Sequence, residues 1–336
     1  MPVPEGLNPL SCLRQAPAAP VLAVVLAVSL LPLELVRPGP EFDVIVVGGG
    51  PAGLSAALLL GRCCRRVLVC DSGTPRNARS GALHAFLTRD GIDPWELRRL
   101  GREQLAPYGV EYRDVAICDA RRLARGFEVT TAPGEHLRCR KLLLATGVRD
   151  RVPRLEGFDA CYGRSVFHCP YCDGWEHRGE RLAVYAPGGR GAGLALGLTT
   201  WSHDLLLCTD GRRTLGPELR ERLEQQSVAV RTERVERLDH SEGRLRTIVF
   251  ERGPAASRDA LFFSTGQEPQ SDLARRLGCR FNSKGTVRTG RHERTGIPGL
   301  FVAGDASRDV QLAVVAAAEG VKAAFAINTE LQAEGR

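Results

Sequence analysis

Lysine is almost missing from this chain. Of 46 basic residues only Lys141, Lys284 and Lys322 are lysines; the rest are arginines interleaved with 39 acids. The formal net charge of +7 is therefore spread along the chain rather than gathered into a stripe or patch, which argues against a nucleic-acid partner. A membrane span is missing as well. The apolar run Val21–Leu31 holds eleven residues and is cut off by Pro32 and Glu34, short of the about 20 that a span requires. Its charged flank is weak (Arg14 against Glu5) and no A-x-A site follows it, so residues 1–40 read as a dispensable N-terminal extension in preference to a secretory signal. Also missing is a second C-x-x-C pair, which a four-cysteine zinc site would need.

What is present is enough apolar material for two cores. With 336 residues and 43% hydrophobic content, two domains are expected. Eleven cysteines are many for a reducing compartment, yet a chain this long needs no disulfide framework. Cys63, Cys64, Cys70, Cys118, Cys139, Cys208 and Cys279 lie mostly beside Leu, Val or Arg and read as small apolar core residues. Only Cys169 and Cys172 have redox spacing.

The first strong pattern is FDVIVVGGGPAGLSAALLLGRCCRRVLVCDSG, Phe42 to Gly73. A buried strand over Val44–Val47 runs into Gly48-x-Gly50-x-x-Gly53, a helix is expected over Leu54–Leu60, and a second strand over Val67–Cys70 ends on Asp71. Each part has a chemical reason. Gly48 makes the tight turn, Gly50 lets the backbone approach a pyrophosphate, and Gly53 lets the helix pack on the strand. The helix N-terminus offers free N–H groups to the phosphates, and Asp71 would accept from adenosine ribose hydroxyls.

Two later stretches point to a flavin. KLLLATGVRDRVP ends a strand in Ala145-Thr146-Gly147, and GLFVAGDASRDVQLAVVAAAEG carries Gly304-Asp305 ahead of a helix of small residues. In this order the three segments resemble the two-dinucleotide-binding-domain flavoproteins. The resemblance implies FAD, with Thr146, Gly147, Gly304, Asp305 and Gln311 among its contacts. It also implies that Asp305 holds the ribityl chain and that a helix N-terminus favours reduced flavin.

HCPYCDGWE, His168 to Glu176, holds the cysteine pair. Cys161, His168 and His177 match no common zinc spacing with it, and no metal site is expected. A loop this short would constrain little chain as a structural disulfide. A redox dithiol explains more, because the small ring opens and closes easily and Asp173 supplies an acid–base group. The whole order, from FAD motif through A-T-G, C-x-x-C-D and a weak second glycine motif to Gly-Asp and the last helix, resembles the thioredoxin reductase-like class of low molecular weight. That class implies an α/β fold of two Rossmann-like domains, the second inserted into the first. Residues 42–153 and 268–336 would bind FAD, and 154–267 would form an NAD(P)-binding-like domain carrying the cysteines. Pro153, Gly157, Gly266 and Pro269 suit a hinge. The resemblance further implies that Cys172 is the sulfur next to the flavin, that Cys169 exchanges with the substrate, and that Asp173 protonates the leaving thiolate. It implies a cytoplasmic homodimer acting on a thioredoxin-like protein or a small thiol or disulfide.

The second glycine motif departs from the class. In LAVYAPGGRGAGLALGL, Leu182 to Leu198, Ala186 takes the first glycine position, with Gly188 and Gly191 left for the others. Its methyl is expected where the pyrophosphate should approach. The next strand, Leu205–Cys208, ends in Thr209-Asp210-Gly211, where an acid would repel a 2′-phosphate and only Arg212 and Arg213 offset it. NAD(P)H use is thus the weakest expectation. A disulfide reductase is the leading reading. A dithiol oxidase with oxygen as acceptor and a flavin redox sensor without turnover are the alternatives.

Overall fold

The structure, a computed structural model, describes residues 41–187, 190–211, 215–307 and 310–335. The extension over 1–40, Gly188, Arg212 and Arg213 lie outside the described residues. Continuous apolar runs become buried strands, here β1 (Phe42–Val47) and β2 (Val67–Cys70), which pair in parallel. Helix α1 (Pro51–Arg62) crosses between them, opened by a proline at its first turn, where no N–H is needed. Helix α2 (Pro94–Glu103) is capped by Asp93 and leads to β3 (Glu111–Arg113), β4 (Ile117–Arg122), β5 (Phe127–Thr131) and β6 (His136–Leu144). The sheet order is β3-β2-β1-β6-β5-β4. Strand β6 is long enough to serve twice: His136–Cys139 pairs antiparallel with β5, and Lys141–Leu144 pairs parallel with β1.

After β7 (Val148–Asp150) the chain enters a second body. It contains α3 (Phe158–Cys161), β8 (Val166–Phe167), α4 (Pro170–Asp173), β9 (Leu182–Tyr185), α5 (Arg190–Leu198), β10 (Leu205–Cys208), α6 (Pro217–Gln225) and β11 (Ala229–Arg231). Then follow β12 (Val235–Ser241), β13 (Arg244–Phe250) and β14 (Ala256–Ser257), an antiparallel three-stranded sheet, and β15 (Ala260–Phe263). The remaining strands form a parallel sheet of order β11-β10-β9-β15-β8. The chain leaves through β16 (Gln267–Pro269), which pairs antiparallel with β7, so entry and exit run side by side. Past α7 (Leu273–Arg276), strand β17 (Leu300–Val302) returns to the first sheet and pairs with Leu142–Leu144 of β6.

The last helix, α8 (Ala313–Glu334), lies on α1. Both present small residues: Ala52, Ala56 and Ala57 meet Ala316, Ala323 and Ala324 in one apolar cluster. Backbones packed this closely leave no room for larger side chains, and overpacking there would cost about 1–3 kcal/mol. Scarce lysine is used structurally: buried Lys141 donates to Glu330 (2.8 Å) and Glu334 (2.5 Å), tying β6 to α8. The seven-stranded and five-stranded sheets each carry apolar clusters on both faces, the Rossmann arrangement expected. Among the described residues no helix is long and apolar enough to cross a membrane.

The strands over Val67–Cys70, Leu182–Tyr185 and Leu205–Cys208 form to the residue. The cysteine expectation is corrected in part. Cys70, Cys139, Cys208 and Cys279 are buried, but Cys63 is half-buried and Cys64 and Cys118 are exposed. Cys64 falls in the left-handed turn that ends α1 (φ 56°), and Cys118 sits on the outward face of β4. Cys161 is buried beside Phe158 and belongs to that core.

Candidate active site

The turn after β1 is built from sterics. Gly48 has φ +112°, closed to other residues, and a Cβ there would overlap the carbonyl oxygen of Ala145. A Cβ at Gly53 would overlap the carbonyl oxygen of Gly48, so helix and turn touch backbone to backbone. Gly50 caps α1 and no side chain caps that end. A Cβ on Gly50 would meet nothing within 4 Å, so open space lies above the helix N-terminus. That is the cradle a pyrophosphate fits.

Asp71 ends β2 in reach of this turn. Its carboxylate accepts from the Tyr112 hydroxyl (2.8 Å) and from Arg98. Burial works to raise its pKa, but the Tyr112 hydroxyl, a Gly49 backbone bond and Arg98 together hold it below the ordinary carboxylate value. It stays charged and able to accept further bonds, as the ribose role requires.

Strand ends converge on one cleft. Gly48, Asp71, Thr146, Gly147, Asp305 and Gln311 all line it. Burial raises the Asp305 carboxyl, against the pull of Arg76. The N–H of Gly304 donates to Glu319 of α8 (2.9 Å), fixing the Gly304-Asp305 turn to that helix. The residues present fit FAD: phosphates at α1, adenosine at Asp71, and a polar floor at Asp305 and Gln311.

That floor is organised by a residue the sequence pattern did not single out. Arg76 donates bidentately to Asp150 (2.9 and 2.6 Å), and its Nη1 donates to Asp305 (3.0 Å) and Gln311 (2.7 Å). Two carboxylates and an amide thus share one half-buried guanidinium, the fork geometry arginine suits. Asp150 is correspondingly held low against burial, by Arg76 first and then by His168. Only an arginine in a loop marks this position in sequence.

Cys169 and Cys172 form a disulfide with Cα atoms 5.3 Å apart. Cys169 caps the single turn of α4, and its carbonyl accepts from the N–H groups of Cys172 and Asp173 (3.2 Å each). Cys172 and Asp173 line the same cleft as Gly48, Asp71, Asp305 and Gln311. Burial, with Glu176 adding and His84 opposing, pushes the Asp173 carboxyl up to about 7. His168 packs edge-on against Tyr162 and Phe263, and burial lowers it to about 4. Outside the dithiol, Tyr171 and Trp175 are exposed, and Tyr171 meets Trp201 edge-on at 5.7 Å.

The second glycine turn corrects one expectation. Ala186 is fully buried in the cluster between β9 and α5, with its methyl toward Gly191, so it does not project into a phosphate path. Its φ is not positive, so alanine fits without strain. Asp210 accepts from the Tyr185 hydroxyl (2.7 Å) and the Val235 N–H (3.1 Å), commitments within its own body that the sequence did not reveal.

Two Rossmann-like bodies, a glycine turn at a helix N-terminus with an acid in reach of it, and a cysteine pair beside the same cleft fit a flavin disulfide oxidoreductase. Residues 42–320 match the pyridine nucleotide-disulphide oxidoreductase family, and the chain belongs to it. It is 32% identical to thioredoxin reductase aclD of Aspergillus oryzae over 87% of this chain and 97% of that protein. It is 33% identical to thioredoxin reductase tcpT of Claviceps purpurea over 78% and 86%. The crystal structure of HlmI superposes with a TM-score of 0.84 at 34% identity, covering 88% of this chain and 93% of that one. The protein is therefore an oxidoreductase of thioredoxin reductase type, a FAD-dependent enzyme of thiol–disulfide chemistry.

Proposed function

We propose that the enzyme passes electrons from NAD(P)H through FAD to the Cys169–Cys172 pair, and from there to a thioredoxin-like protein or a small disulfide. The observation that carries this reading is that Cys172 and Asp173 line the cleft shared by the phosphate cradle and Asp305. Bound FAD supplies a two-electron relay between nicotinamide and sulfur. The chain's residues do the rest. Gly48, Gly50 and Gly53 admit the phosphates, and Asp71 holds the adenosine ribose. Thr146, Gly147, Gly304, Asp305 and Gln311 hold the rest of the cofactor, with Arg76 fixing two of them. Cys172 is the sulfur that faces the flavin, and Cys169 is the one that meets substrate. Asp173, near 7 by burial, is half-protonated at neutral pH and can hand a proton to a leaving thiolate and recover it.

In the same reading residues 42–153 and 268–336 form the FAD domain and 154–267 the NAD(P)-binding-like domain. The paired strands β7 and β16 support a two-strand hinge between them. A homodimer is proposed as well, on the outward face of α8, where Val314, Val321 and Phe325 are exposed at helical spacing. A cytoplasmic setting suits a dithiol that must be kept cycling. Running the relay backwards onto oxygen would use the same sulfurs, and the relatives named thioredoxin reductases favour the reductive direction.

Cys169→Ser and Cys172→Ser test the reading. Each should lower NAD(P)H-driven disulfide reduction by about a hundredfold or more. Only Cys169→Ser should keep a thiolate–flavin charge-transfer band after reduction. Wild-type turnover in either variant would sink the dithiol relay.

A further inference from the structure

Residues 83–92 form a small loop closed by the Leu83–Ile92 bridge, with the Leu83 N–H donating to Ile92 at 2.7 Å. The loop holds two non-glycine residues in the left-handed region, Ala85 (φ 58°) and Thr88 (φ 69°). Such conformations persist only where surrounding contacts over-determine them, and they gather at functional sites. Here the Ala85 N–H donates to Asp90 Oδ1 (2.7 Å), which fixes that carboxylate. His84 stands directly before Ala85. Its Nδ1 is 3.6 Å from Asp90 Oδ1 and its Nε2 is 3.5 Å from Glu176 Oε1. The side chain is 24% exposed and lines the cleft beside Cys172 and Asp173. A histidine on the flavin side of the molecule thus reaches across to the segment that carries the dithiol.

We propose that His84 is a positioning residue for the proton donor of the dithiol: it holds Glu176 from across the cleft and sets how readily Asp173 releases its proton. The proposal rests on the reading of Asp173 as that donor. Two titratable groups bear on Asp173, Glu176 from its own segment and, when protonated, His84 from the opposite loop, and they act in opposite senses. Asp90 and Glu176 are the carboxylates that face His84. The chemistry balances as follows. Bound FAD, reduced by NAD(P)H, would supply an electron pair and one proton. On taking up the pair the Cys169–Cys172 bond breaks; Cys172 takes the proton that comes with the pair, and Asp173 gives its own proton to the Cys169 thiolate. The pair ends as a dithiol, and solvent returns the proton to Asp173. Glu176 opposes release of that proton and His84 favours it. If the dithiol segment swings away on its hinge, His84 stays behind, so Asp173 is tuned as a donor only while the sulfurs face the flavin.

The test compares FAD-loaded, full-length wild type with His84→Gln, Glu176→Gln and Asp173→Asn in NAD(P)H-driven disulfide reduction across pH. Loss of a required proton donor gives a descending alkaline limb in the wild type. His84→Gln should move that limb to higher pH and Glu176→Gln to lower pH, each by about half a pH unit or more. The carboxyl stretch of Asp173, followed by infrared difference spectroscopy in the oxidised protein without substrate, should shift in the same two directions. Limbs and stretch that stay in place, or move the same way in both variants, would overturn the proposal. Should His84→Gln fail to fold, Glu176→Gln and its infrared shift still decide. Wild-type rates in Asp173→Asn would instead overturn the proton-donor reading beneath it, a result separate from an unmoved limb.

Discussion

Single residues divide by whether their chemistry leaves a mark in neighbouring sequence. Gly48, Gly53, Asp71, Cys169 and Cys172 were legible because turn, phosphate and dithiol chemistry each demand a residue type at fixed spacing. Arg76, Asp150 and His84 were not, because their partners lie far off in the chain: Arg76 meets Asp305 across 229 positions. Nothing periodic surrounds them, and an arginine in an arginine-rich chain carries little signal. The charge on Arg76 is nonetheless the anchor of the floor. Removing it leaves Asp150 and Asp305 without their cation, and leaving such partly buried groups unsatisfied costs about 1–3 kcal/mol. Arg76→Ala should therefore lower the urea midpoint and release flavin. Arg76→Lys should recover only part, because an ammonium cannot hold both Asp150 oxygens in a fork. An unfolding midpoint equal to that of wild type in Arg76→Ala would show that the network is ornamental.

At the scale of elements, the buried strands β2, β9 and β10 were readable to the residue, since an unbroken apolar run admits few other states in a parallel sheet. Strands β3 to β5 and β12 to β14 were harder to see, being short or mixed in polarity, and β6, read only from Lys141 onward, hides a change of partner midway. Ala186 shows the limit of motif reading. A methyl expected in the ligand path turns out to pack between β9 and α5, because the direction of a Cβ depends on backbone angles that the sequence does not display. The first turn offers a contrast that tests its assignment. A Cβ at Gly53 collides with backbone, whereas one at Gly50 meets open space. Gly53→Ala should thus destabilise the protein itself. Gly50→Val should lower the unfolding free energy by only about 1 kcal/mol, the cost of a poorer N-cap, yet weaken FAD retention at least tenfold, because its side chain enters the phosphate cradle. Equal flavin affinity in Gly50→Val would remove the pyrophosphate from that helix end.

At the scale of the whole molecule, the chain enters and leaves the second body by adjacent strands, so one hinge suffices to swing the dithiol. The exposed stripe on α8 is proposed to meet its counterpart in a second copy. Light scattering at micromolar protein should give twice the chain mass, and Phe325→Glu should halve it; a wild-type monomer would exclude the dimer. The central claim, that flavin and dithiol form one continuous relay fed by NAD(P)H, is tested most directly by anaerobic titration with the nucleotide. Flavin and disulfide each take two electrons. Wild type should therefore consume about two equivalents of NADPH or NADH before the visible flavin band is fully bleached, and Cys169→Ser about one. Bleaching of the wild type by a single equivalent, or no bleaching by either nucleotide, would contradict the relay.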